Sequence, residues 1–285
     1  MSNISYSQYV TYKECQYKFK LLYIDKIKTA PGNIHLIFGS ALHETLQKYL
    51  EILYNESIKK SDGFDFSTFL QNSMINNFKK CGENIKDYVT VDEMSEYYND
   101  GLEILMWFKK HRADYFIKKN YELVGCEVEL LSKISENLNF HGYIDIVIKD
   151  IINNKYTIID FKKSYRGWSE NQTKSDNKRL QLQLYKYYYS KQFNVPLENI
   201  DVEFMIFKQK IFINDSLQYA PKRIQRVYPP SSERTLKNVI KSFNDDIEII
   251  FNKDGSYNQN LTFNKNNKNC KYCPLLNNHC DGKNG

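Results

Sequence analysis

The segment from Phe140 to Lys163, FHGYIDIVIKDIINNKYTIIDFKK, constrains this chain more than any other stretch. Two runs rich in isoleucine, valine and aromatic residues flank Asn153-Asn154, a pair suited to a tight turn, and so predict an antiparallel hairpin. A hairpin centred near the asparagines sets Asp145 roughly opposite Asp160, within about 5 Å at Cβ, where like charges are unfavourable without a counter-charge. Alternation along the second strand puts Asp160 and Lys162 on one face and turns Phe161 into the packing layer.

A divalent cation is the natural counter-charge. Magnesium or manganese typically takes only one or two carboxylates and keeps its other positions for water and phosphate oxygens, a demand that Asp145 and Asp160 meet. In phosphodiester hydrolysis such an ion lowers the pKa of a water and neutralises phosphate charge. A neighbouring lysine, here Lys162, orients the nucleophile or stabilises the developing negative charge.

Two flanking helices carry further candidates. FGSALHETLQKYLEIL has Leu42, Leu46, Tyr49 and Leu50 on or near one stripe, with His43 beside it. In RLQLQLYKYYY, Gln181 and Tyr185 are four apart and share a helix face, although the run also reads as an amphipathic core helix.

In chain order, Gly142-Tyr143-Ile144-Asp145, Asp160-Phe161-Lys162 and Gln181-Leu182-Gln183-Leu184-Tyr185 resemble the GxxD, DxK and QxxxY motifs of the PD-(D/E)xK nuclease superfamily, specifically its RecB-like branch. The resemblance implies an α/β fold with a restriction-endonuclease-like core, a central mixed sheet flanked by helices. It implies Asp145, Asp160 and Lys162 as catalytic residues, with Gln181 and Tyr185 supporting the site or the nucleic acid. Gly39-Ser40-Ala41-Leu42-His43 matches the family's helical histidine, so the implied metal ligands are His43, Asp145, Asp160 and the carbonyl of Phe161. Glu129 falls where the family often has a glutamate, and Glu127 is expected on the same strand face.

The six cysteines, with no signal peptide, point to an intracellular protein whose thiols bind metal. Cys270, Cys273 and Cys280 form C-x2-C-x6-C, and Cys15 near the other end makes a fourth thiolate. Such a set selects zinc or an iron-sulfur cluster, and spacing alone does not decide between them. The one-plus-three layout resembles the AddB and CRISPR-adaptation nucleases, which implies a 4Fe-4S cluster clamping the chain's two ends, with zinc as the other occupant. His279 is a second candidate for a zinc site, less well spaced than Cys280; Cys81 and Cys126 have no partners at ligand spacing.

At 285 residues with 41% hydrophobic content, the chain accommodates one large nuclease domain over 1–285, with a helical insertion over 56–119 and a cluster-binding segment over 262–282 that uses Cys15. Helices are expected to about residue 28 and over 36–55, 65–80, 92–119, 179–193 and 233–251, with strands over 121–132, 139–149, 155–163 and 201–208. The middle helices are expected to cap the cleft. No apolar run approaches a membrane span. No GxxxxGK[ST] loop is present, so any motor is expected in a separate helicase partner.

The net charge is +6, and basic residues recur after Asp160 at Lys163, Arg166, Lys174, Lys178, Arg179 and Lys186, and again at Lys208, Lys210, Lys222, Arg223 and Arg226. Beside a metal site they suit phosphates, with Tyr165, Trp168 and Tyr187 as faces for base stacking; a solvated lysine-rich surface has the same composition. The expected function is a metal-dependent DNA exonuclease acting on single-stranded ends in recombination, repair or replication. It is expected in the cytoplasm, or in the host cytoplasm for a phage-encoded chain, with a helicase, recombination or integrase partner. Two alternatives are a spacer-processing nuclease of CRISPR adaptation and an inactive, cluster-bearing subunit that binds DNA ends.

Overall fold

A computed structural model describes residues 1–29, 32–211 and 222–283. In chain order the elements are β1 (Ser2–Ile4), α1 (Tyr6–Glu14), α2 (Gln16–Phe19), α3 (Ile34–Asn55), α4 (Ile58–Asp62), α5 (Phe66–Lys80), α6 (Val91–His111), β2 (Tyr121–Ser135), β3 (Leu138–Asp150), β4 (Lys155–Ser164), α7 (Glu170–Thr173), α8 (Asp176–Phe193), β5 (Ile200–Lys208), β6 (Ile224–Val227) and α9 (Glu233–Ile250). The fold is mixed α/β, a central mixed sheet flanked by helices, consistent with a restriction-endonuclease-like core.

The sheet runs β1-β3-β4-β5-β6, with β2 also paired to β3. One edge of β3 is taken by β2. The other edge is shared: β1 runs parallel to residues 138–140, and β4 runs antiparallel to residues 146–150. Between those two ladders lies a fork at 141–145, and Asp145 stands at its end. The β3–β4 register, from Asp150↔Lys155 to Ile146↔Ile159, would next pair Asp145 with Asp160, as the hairpin reading expects. The turn is closed by Asp150, whose carboxylate accepts from the Ile152 and Asn153 N–H groups, and by Asn154 in the left-handed region that asparagine tolerates.

The two sheet faces bury separate cores. One collects Leu138, Phe140, Ile144, Val147 and Ile158 against α1, α8 and α9. The other collects Ile146, Ile148, Ile159, Phe161, Met205 and Phe207 against α3, α5 and α6. Ile144 and Ile146 share a parity yet lie in different cores, as do Cys126 and Val128 on the neighbouring strand. The alternation therefore slips at Glu127 and Asp145. Glu127 has a left-handed backbone, φ 49°, which is unusual for a residue with a Cβ, and the ladder passes from Cys126↔Ile146 to Val128↔Ile144 around it. This corrects the expectation that Glu127 and Glu129 share a strand face.

The N-terminal helix is also shorter than expected. It breaks at Cys15, whose extended backbone (φ -161°, ψ 108°) separates α1 from α2 and whose sulfur accepts from the Lys18 N–H at 3.4 Å, capping α2. The helix expected to residue 119 ends as α6 at His111, followed by a single 3-10 turn over Arg112–Asp114. In the middle segment α5 and α6 pack on α3, whose buried stripe includes Leu42, Leu46, Tyr49 and Leu50.

Candidate active site

The hairpin, α3 and α8 bring most of the expected residues to the fork. Asp160, 1% exposed, accepts from Gln181 Nε2 through Oδ1 at 2.6 Å, and its Oδ2 lies 2.6 Å from Lys162 Nζ. That second contact is a buried ion pair, and among the described residues Lys162 is the one group that engages Oδ2. The Asp145 carboxylate accepts from the Phe161 N–H at 2.6 Å and lies 3.5 Å from His43 Nδ1. Phe161 itself points into the α3-side core, its ring edge-on to His43 at 5.8 Å. The helical face of Gln181 and Tyr185 turns inward, and the Gln181 amide also reaches the Tyr185 hydroxyl at 3.4 Å.

Gly142 has a steric reason to be glycine. A Cβ there would lie 3.2 Å from Tyr185 Cε1, so the tyrosine ring occupies the space a side chain would need. The GxxD strand and the QxxxY helix are thus joined by one close approach.

The electrostatics follow from burial. Asp160 is pushed up to about 6 by burial, which the Lys162 charge opposes and Asp145 reinforces. Asp145 is also pushed up to about 6 by burial, against Lys162 and the Phe161 N–H. Burial works to lower the Lys162 pKa, but the charges of Asp160 and Asp145 outweigh it and the net shift is upward. His43 is lowered to about 4, by burial first and the Lys162 charge second, so its ring is neutral at pH 7 and keeps a lone pair for a ligand. Two buried carboxylates and a neutral imidazole form a donor set that fits a hard divalent cation. Among the described residues, however, no three His, Cys, Asp or Glu side chains already converge on one point. The carboxylates are engaged by Lys162, Gln181 and the Phe161 amide instead.

Glu129 lies apart, reaching His141 at 3.2 Å and the Tyr143 hydroxyl at 3.4 Å on the exposed face. Glu127 is closer to the site through Gln47, whose amide donates to Glu127 at 2.6 Å and to the Asp145 carbonyl at 3.3 Å. Sequence reasoning missed Gln47, although its place one turn after His43 on α3 was a usable signal. It also missed Tyr6, which feels the Asp160 charge and donates to the Asn177 carbonyl at 2.8 Å at the start of α8.

Several basic residues expected to face phosphate are engaged by the protein. Lys186 donates to the Ser231 carbonyl at 3.1 Å, Lys210 pairs with Asp100 at 2.7 Å, Arg223 with Glu103 at 2.7 Å and Arg226 with buried Glu203 at 2.6 Å. Trp168 packs on Phe204, ring centroids 5.0 Å apart, and Tyr187 packs on Tyr188 at 5.1 Å.

Cys15, Cys270, Cys273 and Cys280 line one cavity of about 220 Å³, which His279 does not line. Lys18, Lys265 and Lys283 share its walls. The sulfurs do not converge as a closed ligand set. Cys270 is raised by burial and then by the charges of Cys280, Cys273 and Cys15. Cys81 and Cys126 stand elsewhere, donating to the Asn77 and Gln47 carbonyls, and burial pushes Cys126 up to about 12.

A sequence model of the family described as the PD-(D/E)XK nuclease superfamily matches residues 3–280. No curated protein matches the chain. A solved structure described as SSO0001 is similar at 14% identity over 94% of this chain and 93% of that one, with a TM-score of 0.31. Among the described residues no helix is long and apolar enough to cross a membrane.

Proposed function

The chain belongs to the PD-(D/E)XK nuclease superfamily, whose members are typically metal-dependent nucleases, and on that premise we propose that it is a magnesium- or manganese-dependent DNA exonuclease of the RecB-like branch, acting on single-stranded ends. The observation that carries this reading is the buried Asp160 carboxylate standing in a fork of the sheet beside Asp145, Lys162 and His43. His43, Asp145, Asp160 and the Phe161 carbonyl would hold the ion, which when bound polarises the phosphate and lowers the pKa of water.

The chain's own residues do the positioning. Gln181 fixes one oxygen of Asp160, and the other meets Lys162. The Phe161 amide holds Asp145 in register with it. Lys162, kept charged by both carboxylates and seated 2.6 Å from Asp160 Oδ2, would supply charge to the transition state. Tyr185 seats on Gly142 and keeps α8 against the strand. The site is assembled from secondary structure, so loading the ion would shift side chains from their present partners and would not require the backbone to order.

The cysteine cavity supports a 4Fe-4S cluster as its occupant. Four thiols line a common space, and the three lysines on its walls outnumber Glu14 and suit a net negative cluster. Such a cluster would tie the segment after Asn266 to the break between α1 and α2 and stabilise that junction. A cytoplasmic setting and a role in recombination, repair or replication follow from this reading.

The test is digestion of end-labelled linear single-stranded DNA in manganese, with circular single-stranded DNA as control. Linear DNA is expected to be shortened from an end while circles persist, and Asp160→Ala to shorten nothing. Cleavage of circles at the same rate would replace the exonuclease reading with an endonuclease.

A further inference from the structure

Lys178 occupies an unusual position for a lysine. It lies three residues before Gln181 on α8, and its ammonium sits 3.9 Å from the centroid of the Trp168 ring. The ring packs on Phe204, and Lys162 stands 5.9 Å from the same Phe204 ring. The two ammonium groups therefore flank one aromatic pair at the edge of the fork. Lys162 has Asp160 as its partner. Among the described residues no carboxylate lies within ion-pair distance of Lys178, which is only partly exposed. An ammonium partly withdrawn from water without a counter-ion is costly, and an aromatic face compensates only in part.

Trp168 is itself tightly placed. Its N–H donates to Gln225 Oε1 at 2.7 Å and its carbonyl accepts from Gln225 Nε2 at 3.0 Å. The preceding Gly167 has φ 98° and would bring a Cβ within 2.8 Å of the same Gln225 oxygen, so the loop cannot carry a side chain there without moving. The strand-to-helix connection thus delivers an indole face to one cation.

We propose that Lys178 is a second cationic contact for the phosphodiester, donating to a non-bridging oxygen as charge builds there, and that Trp168 is the positioning residue that holds it. The inference rests on the nuclease reading above. Lys178 transfers no proton: water oxygen bonds to phosphorus and loses a proton to solvent, the ester P–O bond breaks and the leaving alkoxide takes a proton from solvent, and Lys178 stabilises the charge between those events. Trp168 then does not stack on bases, because the face it would offer is already covered.

The experiment measures kcat/KM on end-labelled single-stranded DNA in manganese for the full chain. Lys178→Gln is expected to lower kcat/KM about 10- to 100-fold, mostly in kcat, and Lys178→Arg to recover most of it. Trp168→Leu is expected to cost about as much as losing a well-placed Lys178, while Trp168→Phe, which keeps an aromatic face, stays within about threefold of the unsubstituted chain. The deciding measurement is Trp168→Leu added to Lys178→Gln: no further loss supports action through Lys178, and a full additional loss overturns it. Lys178→Gln equal to the unsubstituted chain also overturns the proposal, while the nuclease reading survives if Asp160→Ala is inactive. Absence of cleavage by the unsubstituted chain overturns both.

Discussion

The carboxylate fork and the cysteine cavity are built in opposite ways. In the fork, every group sits on a strand or long helix and is held by protein: Gln181 on Asp160, the Phe161 amide on Asp145, Tyr185 on Gly142. Around the cavity, the thiols lie at a helix break and in a loop-rich C-terminal segment, with only weak sulfur contacts such as Cys270 to the Asn266 carbonyl at 3.7 Å. The fold positions the first set of residues. The second set has little else to position it, so its occupant contributes to holding the fold. A ligand at the fork should therefore govern rate, and a ligand at the cavity should govern stability.

The sharpest way to break that contrast is Asp160→Ala. It should reduce cleavage at least about 1000-fold while leaving the melting temperature and iron content nearly unchanged, measured by digestion, thermal unfolding and metal analysis. Loss of the fold instead would mean that the fork is structural.

Acidification comes next. Both carboxylates titrate near 6 rather than near their ordinary value, and protons compete with a metal for them. Cleavage should fall as pH drops through 6, roughly 100-fold between pH 7 and 5 if both must be ionised. Stability should respond less. A raised carboxylate pKa means the native state binds more protons between about 4 and 6, so metal-free stability rises as pH falls there; His43, lowered to about 4, works in the opposite direction below its ordinary value. A pH-rate profile set beside a pH-melting profile separates the two effects.

Cys273→Ser should act on the other region. Loss of cluster iron is expected, together with about 3 kcal/mol of stability, or a melting temperature lower by roughly 10 °C. Full iron retention would remove Cys273 from the ligand set. The smallest effect expected is Gly142→Ala. The added methyl would displace Tyr185 by a few tenths of an ångström, costing about 1 kcal/mol and up to about tenfold in rate. An unchanged rate would show that the close approach is packing alone.

How much of this was legible in the sequence follows the same division. The hairpin register was readable because β-branched runs and a turn pair specify it locally, and the ladder from Asp150↔Lys155 to Ile146↔Ile159 brings the strands together up to the residues next to Asp145 and Asp160. The slip at Glu127 was not, because a left-handed glutamate carries no compositional mark and arises from the shape of the whole sheet. β1 and β6, of three and four residues, are too short for any period to show. The basic residues misled for a different reason. Sequence counts charges but not partners, and Lys210, Arg223 and Arg226 spend theirs on Asp100, Glu103 and Glu203. The break at Cys15 was hidden by helix-forming neighbours on both sides, and only the sulfur's cap on α2 accounts for it.

The most direct test compares Asp160→Ala with Cys273→Ser in one manganese digestion of end-labelled single-stranded DNA, run well below either melting temperature. The account predicts that iron-replete Asp160→Ala is inactive while iron-depleted, folded Cys273→Ser still cleaves at a rate near that of the unsubstituted chain. Cleavage by Asp160→Ala, or an inactive Cys273→Ser that remains folded, would contradict it.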